Sequence, residues 1–235
     1  MIPLYDDNPT RSTPVLTIGI IATCVLVYFF QLALGPTGGE TIIYSLGVIP
    51  AVVLDKVELN RDLVLVPAGL TIFTSMFLHG GFLHLAGNML YLWIFGNNIE
   101  DALGKVRFIV FYFICGIVAA FGQIAQNPDS TIPMVGASGA ISGVLGAYLL
   151  LYPHARVLVL VPLGFIMQMM KIPAGWVLGL WFILQLINSA VTRAEGGGVA
   201  WYAHIGGFVA GMVLVTFMKR RDVRLFQPGH GTRRW

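Results

Sequence analysis

Six apolar segments divide this 235-residue chain, and they limit the folds that it can adopt. They cover residues 14–34, 82–99, 108–124, 137–152, 173–191 and 200–218. Only 11% of the residues are charged, whereas about a quarter are charged in a typical soluble domain. Each segment approaches the roughly 20 residues that cross a bilayer as a helix. The sequence therefore predicts an all-α, polytopic membrane protein, a bundle of six transmembrane helices.

The connection between the first two segments, residues 35–81, is long. It contains two stretches, Ile42–Leu54 and Leu63–Leu78, that are too apolar for a solvated loop. We expect this connection to lie at the membrane interface or to be partly embedded. The chain then divides into a cytoplasmic N-terminal segment (1–13), a membrane domain (14–219) and a basic cytoplasmic tail (220–235).

Lys and Arg residues flank the apolar segments unevenly. If the N-terminus is cytoplasmic, eleven of them lie inside (Arg11, Lys105, Arg107, Arg156, Lys171, Lys219, Arg220, Arg221, Arg224, Arg233, Arg234) and three outside (Lys56, Arg61, Arg193). Because cytoplasmic loops carry the excess of positive charge, both termini are predicted to be cytoplasmic. We expect a multi-pass protein of a prokaryotic plasma (inner) membrane.

The basic tail suits an anionic lipid surface, and nothing in the sequence indicates a nucleic-acid partner. Cys24 and Cys115 both lie within apolar runs. We interpret them as buried free thiols rather than as a disulfide.

Polar residues inside apolar segments are costly, and four of them fall at one depth. His84 and Asn88 lie in the first turns of the second segment, Ser138 opens the fourth, and His204 is near the start of the sixth. In the predicted orientation these three segments all begin on the outer side. At about 1.5 Å per residue, the four side chains lie in the outer third of the membrane.

Ser138 and His204 have the surroundings of a nucleophile and its base. Gly136 and Gly139 flank the serine and allow a tight turn and close substrate approach. Gly207 follows the histidine on nearly the same helical face, where a small residue lets another helix approach. We predict a serine nucleophile activated by the histidine. The alternatives are that Ser138 is only a small packing residue and that His204 only makes an interhelical hydrogen bond.

His84 and Asn88 are four residues apart and share one helical face. As hydrogen-bond donors, they suit an oxyanion hole, together with the amide of Ser138. We interpret His79 as structural, holding down the long connection. Zinc is disfavoured because the His-Glu-x-x-His pattern is missing and no acidic residue lies near these histidines, so no metal or cofactor is expected.

Four motifs in order resemble those of the rhomboid intramembrane serine proteases. They are His79 with His84 and Asn88, Gly136-Ala137-Ser138-Gly139, Ala203-His204 with Gly207, and Gly96-x-x-x-Glu100-x-x-x-Gly104. The resemblance spans about residues 14–219. It implies a Ser-His dyad without an acid, which agrees with the sequence, since the nearest acids, Asp129 and Glu195, lie in predicted loops.

The resemblance also implies Ser138 as nucleophile, His204 as general base, and His84 with Asn88 in the oxyanion hole. Substrates would be single-span membrane proteins, passing between the second and fifth helices. Gln185 and Asn188 then lie near that route, although we favour interhelical hydrogen bonding for both.

Two positions depart from the family pattern. Leu70-Thr71 stand where many members have Trp-Arg, so the anchoring of the long connection can differ. Ser142 stands where members often have an aromatic residue that stacks on the catalytic histidine. The sequence does not identify what orients the His204 ring instead.

Two other functions compete with proteolysis. The first is a rhomboid-like protein that binds membrane helices without cleaving them; such proteins usually lack the serine or the histidine, and both are present here. The second is a transporter or channel, which would show inverted repeats, and the sequence has no internal repeat.

Overall fold

Each of the six apolar segments forms a helix in the computed structural model, which describes residues 1–164, 166–191 and 199–228. The helices are α1 (Val15–Ala33), α2 (Gly35–Leu46), α3 (Pro50–Val53), α4 (Thr71–Thr74), α5 (Phe82–Leu103), α6 (Lys105–Gln126), α7 (Ser138–Leu151), α8 (Ala174–Val191) and α9 (Trp201–Met218). Short 3₁₀ turns cover Arg61–Leu63, Ala68–Leu70 and Ser75–Phe77. Arg193, Glu195, Arg233 and Arg234, considered above, lie outside the described residues.

Several of these helices are suited to a membrane. In the described part of the chain, α1, α6, α8 and α9 are long and apolar enough to cross one. A fifth span results if α5 is counted with the segment before it, Arg61–Phe77, from which it is bent by 78°. Helix α7 is apolar but has only 14 residues. The protein is therefore an integral, multi-pass membrane protein.

The fold is mostly helical, and a three-stranded antiparallel sheet corrects the prediction that it has helices alone. Strands β2 (Arg156–Leu163) and β3 (Ile166–Pro173) form a hairpin between α7 and α8, and β1 (Ile2–Asp6) pairs with β2. The order in the sheet is β1-β2-β3. The N-terminal segment and the connection between α7 and α8 thus pair with each other, and each supplies hydrogen-bond partners to the other's backbone.

The sheet and both chain ends lie at the same end of the bundle. Arg11, before α1, forms an ion pair with Asp222, after α9, at 2.5 Å. The amide of Arg220 donates to the carbonyl oxygen of Ala102 near the end of α5. The segments before α1 and directly after α9 therefore lie on the same side of the bundle.

Glu100, near that end of α5, holds the start of α1. Its carboxylate accepts hydrogen bonds from the amides of Leu16 and Thr17, at 3.0 and 2.8 Å, and from the Thr17 hydroxyl at 2.8 Å. The first amides of a helix have no partner within the helix. A buried carboxylate from another helix supplies one here and also complements the helix dipole.

Helix α7 lies at the centre of the bundle and is buried along most of its length. It packs against α9 through small residues, since a methyl group on Gly207 or Gly211 would collide with the carbonyl oxygen of Gly139 or Gly143. The approach of another helix at Gly207, expected from sequence, is therefore made by α7. This close approach of α7 and α9 brings their non-sheet ends together.

The long connection is packed against the protein. Val48 and Met134 exchange two backbone hydrogen bonds, and the Thr74 hydroxyl donates to the carbonyl oxygen of Leu46. At the position that departs from the family pattern, Leu70 is half exposed and the Thr71 hydroxyl donates to the carbonyl oxygen of Ala68. Local bonds thus anchor this part of the connection. Elsewhere, Cys24 and Cys115 are buried free thiols, as predicted.

Candidate active site

Ser138 and His204 are brought within hydrogen-bonding distance, although 66 residues separate them in sequence. The Nε2 atom of His204 lies 2.9 Å from the Oγ atom of Ser138. Ser138 is the first residue of α7, and His204 lies in the first turn of α9. The distance is within the range over which a histidine takes the proton of an attacking hydroxyl.

A tight turn precedes Ser138 and depends on Gly136. This residue has φ +124°, a conformation that favours glycine, and its amide donates to the carbonyl oxygen of Ser75 at 2.9 Å. A methyl group at Gly136 would lie 2.7 Å from ring atoms of His84 and 3.6 Å from the amide nitrogen of Asn88. The turn before the serine is therefore in close contact with both candidate donors.

Those two donors differ in their surroundings. Asn88 is buried, and its Nδ2 group has no hydrogen-bond partner among the described residues. The side chain of His84 is exposed to the cavity described below. An unpaired buried amide is costly, so its retention calls for an explanation. Asn88 also lines the cavity, so its side chain lies beside the space that a ligand would occupy.

His79 lies behind His84 rather than beside the serine. Its ring is buried and meets the ring of His84 edge-on, with 5.2 Å between centroids. Its backbone is held by Gln31 of α1, which accepts from the His79 amide and donates to its carbonyl oxygen. These contacts fit the structural interpretation of His79, which remains a prediction.

A cavity of about 1280 Å³ connects the four candidate residues. Ser138, His204, His84 and Asn88 all line it, and so do residues of α6, α8 and the segment before α9. This volume exceeds the range of a usual small-molecule pocket. It therefore has room for an extended peptide segment and for water beside the serine.

Two residues of α8 contact the His204 ring. The Oε1 atom of Gln185 lies 2.9 Å from His204 Nδ1. The centroid of the Trp181 ring lies 5.9 Å from that of the imidazole, and the two ring planes are tilted by 38°. Ser142, in place of a stacking aromatic residue, donates to the carbonyl oxygen of Ser138 at 2.6 Å. The sequence favoured an interhelical hydrogen bond for Gln185, and its contact with α9 is one, but the sequence did not identify His204 as its partner. The spacing of four residues between Trp181 and Gln185, which places both on one face of α8, was the signal that the sequence offered.

A model of the rhomboid domain matches residues 68–221 of this chain. The chain belongs to the rhomboid family. It is 31% identical over 181 residues to the mitochondrial Rhomboid protein 1 of Saccharomyces cerevisiae, covering 73% of this chain and 49% of that protein. It is 32% identical over 203 residues to the rhomboid protease GluP of Bacillus subtilis, covering 86% of this chain and 34% of that protein.

A further rhomboid relative is aligned over most of both chains. The rhomboid protease AarA of Providencia stuartii is 27% identical over 216 residues, which is 85% of this chain and 70% of that protein. The chain spans about half or less of the length of the other two relatives. Family membership therefore does not by itself assign the activity of those longer proteins to this chain. Family membership agrees with the resemblance noted in the sequence.

Proposed function

We propose that this rhomboid protein is a serine-type endopeptidase that cleaves single-span membrane proteins in or near their transmembrane segment. The observation that carries the proposal is the 2.9 Å contact between Ser138 Oγ and His204 Nε2, which opens onto a cavity between apolar helices. The relatives named as rhomboid proteases support the same reaction class.

The first chemical step is attack by Ser138 Oγ on the substrate carbonyl carbon. His204 Nε2 takes the hydroxyl proton and later transfers it to the leaving amine as the peptide C–N bond breaks. Water then attacks the acyl-serine ester while His204 accepts its proton, and this proton passes to Ser138 Oγ as the ester bond breaks. The products are two peptide ends and the regenerated serine, so no cofactor takes part.

Negative charge develops on the carbonyl oxygen during attack and needs donors. The unpaired Nδ2 group of Asn88, the His84 ring and the Ser138 amide at the start of α7 are the proposed oxyanion hole. The amino-terminal end of α7 adds a favourable helix dipole.

The proposed topology has six spans formed by α1, α5, α6, α7, α8 and α9, with residues 14–219 as the membrane domain. A helix of 14 residues such as α7 is about 21 Å long, shorter than the roughly 30 Å hydrocarbon core. Because α7 is short, Ser138 lies below the outer surface. Water reaches it through the cavity.

Both termini and the sheet are proposed to be cytoplasmic, which follows from the excess of Lys and Arg at that end. A prokaryotic plasma (inner) membrane is the compartment proposed, although one relative is named as mitochondrial. Membrane lipids and single-span substrates are the expected partners. Substrates pass between α5 and α8 in this proposal.

The test compares wild-type protein with Ser138→Ala in liposomes that contain a labelled single-span substrate. Cleavage by wild type alone, with a product end inside or next to the transmembrane segment, is the expected result. Equal cleavage by both proteins would refute the assignment of Ser138. Substrate that is bound but never cut would favour a helix-binding protein without protease activity.

A further inference from the structure

The side-chain amide of Gln185 makes two hydrogen bonds that together define its orientation. Its Nε2 group donates to the backbone carbonyl oxygen of Trp181, one turn earlier in α8, at 3.0 Å. Its Oε1 atom lies 2.9 Å from Nδ1 of His204 in α9. Gln185 is only 5% exposed and His204 only 8%, so little solvent competes for either bond.

A backbone carbonyl can only accept a hydrogen bond, and this settles which way the amide points. The NH₂ group of Gln185 must face the Trp181 oxygen, because the opposite orientation would set two acceptors against each other. The amide oxygen must then face the histidine. An oxygen acceptor requires a donor, so Nδ1 of His204 carries the ring proton.

The position of this proton decides what the other ring nitrogen can do. A neutral imidazole has one N–H, so protonation at Nδ1 leaves Nε2 as an acceptor. That nitrogen is the one lying 2.9 Å from Ser138 Oγ. With the other tautomer, Nε2 would donate to the serine oxygen and would be unable to take its proton.

The contact also fixes the plane of the ring. Gln185 and Trp181 stand four residues apart on one face of α8, so one holds an edge of the imidazole while the other lies near its face. No Asp or Glu in the described residues makes a hydrogen bond to His204. A neutral amide therefore holds the place that a carboxylate holds in a Ser-His-Asp triad.

We propose that Gln185 is a positioning residue that selects the Nδ1–H tautomer of His204 and fixes its ring for proton transfer from Ser138. This proposal rests on the proposed function for the chemical role of the pair. The tautomer itself is a property of the resting protein and can be measured without any substrate.

The decisive measurement is the ¹⁵N spectrum of histidine-labelled protein in lipid nanodiscs at about pH 8, where an ordinary histidine is neutral. The chain has only five histidines, and the His204 signals are those lost in His204→Ala. We expect wild-type His204 to carry its proton on Nδ1. Wild-type protein with the proton on Nε2 would overturn the proposal, whether or not the protein cleaves substrate.

Gln185→Met removes the amide at similar volume and is expected to shift the His204 proton toward Nε2. Gln185→Glu keeps an oxygen at the same reach but sets its second oxygen against the Trp181 carbonyl, so it is expected to restore the Nδ1–H signal only in part. Gln31→Met is the matched control, because it removes another buried glutamine with two hydrogen bonds, away from His204. It should lower thermal stability without changing the His204 tautomer.

Kinetics supply the second measurement. In Gln185→Met, kcat is expected to fall on the order of tenfold or more with KM within about twofold, because proton transfer and not substrate binding is affected. Gln185→Glu should recover part of that loss. Unchanged kcat and tautomer in Gln185→Met would refute the proposal. If that variant does not fold, the same two measurements are made on Gln185→Ala, which also lacks the amide.

Discussion

Gly207 of α9 lies directly against the carbonyl oxygen of Gly139 in α7, with no room for a side chain between them. This contact lies next to the candidate pair, since Ser138 directly precedes one glycine and His204 lies one turn before the other. The distance between helix axes at this point therefore sets the distance from serine to histidine. Packing and site geometry depend on the same two positions.

Gly207→Ala is expected to lower stability by about 1–3 kcal/mol, the usual cost of overpacking a tight core. It should also reduce reactivity at Ser138, because α9 must shift away from α7. Thermal unfolding in detergent and fluorophosphonate labelling measure the two effects. Gly179→Ala in α8 is the control, since a methyl group there meets nothing within 4 Å. Equal stability of the two variants would contradict the packing argument.

Gly136→Ala tests the turn before the serine. The change forces an alanine to adopt φ +124° and places its methyl group 2.7 Å from the His84 ring. Backbone strain of this kind costs about 1–3 kcal/mol, and the ring must also move. We expect lower stability, a clear fall in kcat and a smaller change in KM. A variant with wild-type kcat would show that catalysis does not depend on this turn or on the position of His84.

Glu100→Gln tests the bond between α5 and α1. Glutamine keeps one oxygen but loses the charge and one acceptor, while three donors remain at the start of α1. Hydrogen bonds to charged groups contribute about 1.5–3 kcal/mol, so the free energy of unfolding should fall by a similar amount. A double-mutant cycle with Thr17→Val isolates the part carried by the hydroxyl. If the two changes are additive, the Thr17 hydroxyl bond contributes nothing.

Asp6 in β1 predicts a dependence of stability on pH. Burial raises the pKa of this carboxyl group from 3.8 to about 6, while the hydrogen bond from the Tyr148 hydroxyl acts in the opposite direction. Between these two values the folded protein binds more protons than the unfolded chain, so stability falls as pH rises from 3.8 to about 6. Above that range the loss is complete.

Asp6→Asn removes the titrating group but keeps an oxygen that can accept from Tyr148. The variant should gain thermal stability relative to wild type as pH rises through this window, and the difference should level off above it. Unfolding midpoints measured across this pH range give the comparison. A difference between the two proteins that is constant with pH would show that Asp6 does not titrate in this way.

The helices were predictable from sequence, and the sheet was not. Each long apolar run forms a helix close to its predicted bounds, because a run of that length in lipid must satisfy its own backbone groups. The apolar strand β2 cannot be distinguished from a helix by periodicity. Its partner β1 begins at residue 2, and a pairing between residues so far apart leaves no local signal.

The proximity of the candidate residues was predictable from sequence, whereas the contacts that support the histidine ring were not. Ser138, His204, His84 and Asn88 were identified because polar groups at one depth of a membrane are unusual, and the structure brings them around one cavity. The role of Gln185 depends on which neighbour α8 faces, and that is decided by packing. For this reason the sequence left the orientation of the histidine ring open.

The most direct test of the account is labelling of Ser138 by a fluorophosphonate, read by mass spectrometry of the modified peptide. The reagent needs no substrate and reports only whether the serine is activated. We predict labelling at Ser138 in wild type, none in Ser138→Ala, and labelling slower on the order of 100-fold in His204→Ala. Equal labelling of wild type and His204→Ala, or a label on another serine, would contradict the proposed serine–histidine pair.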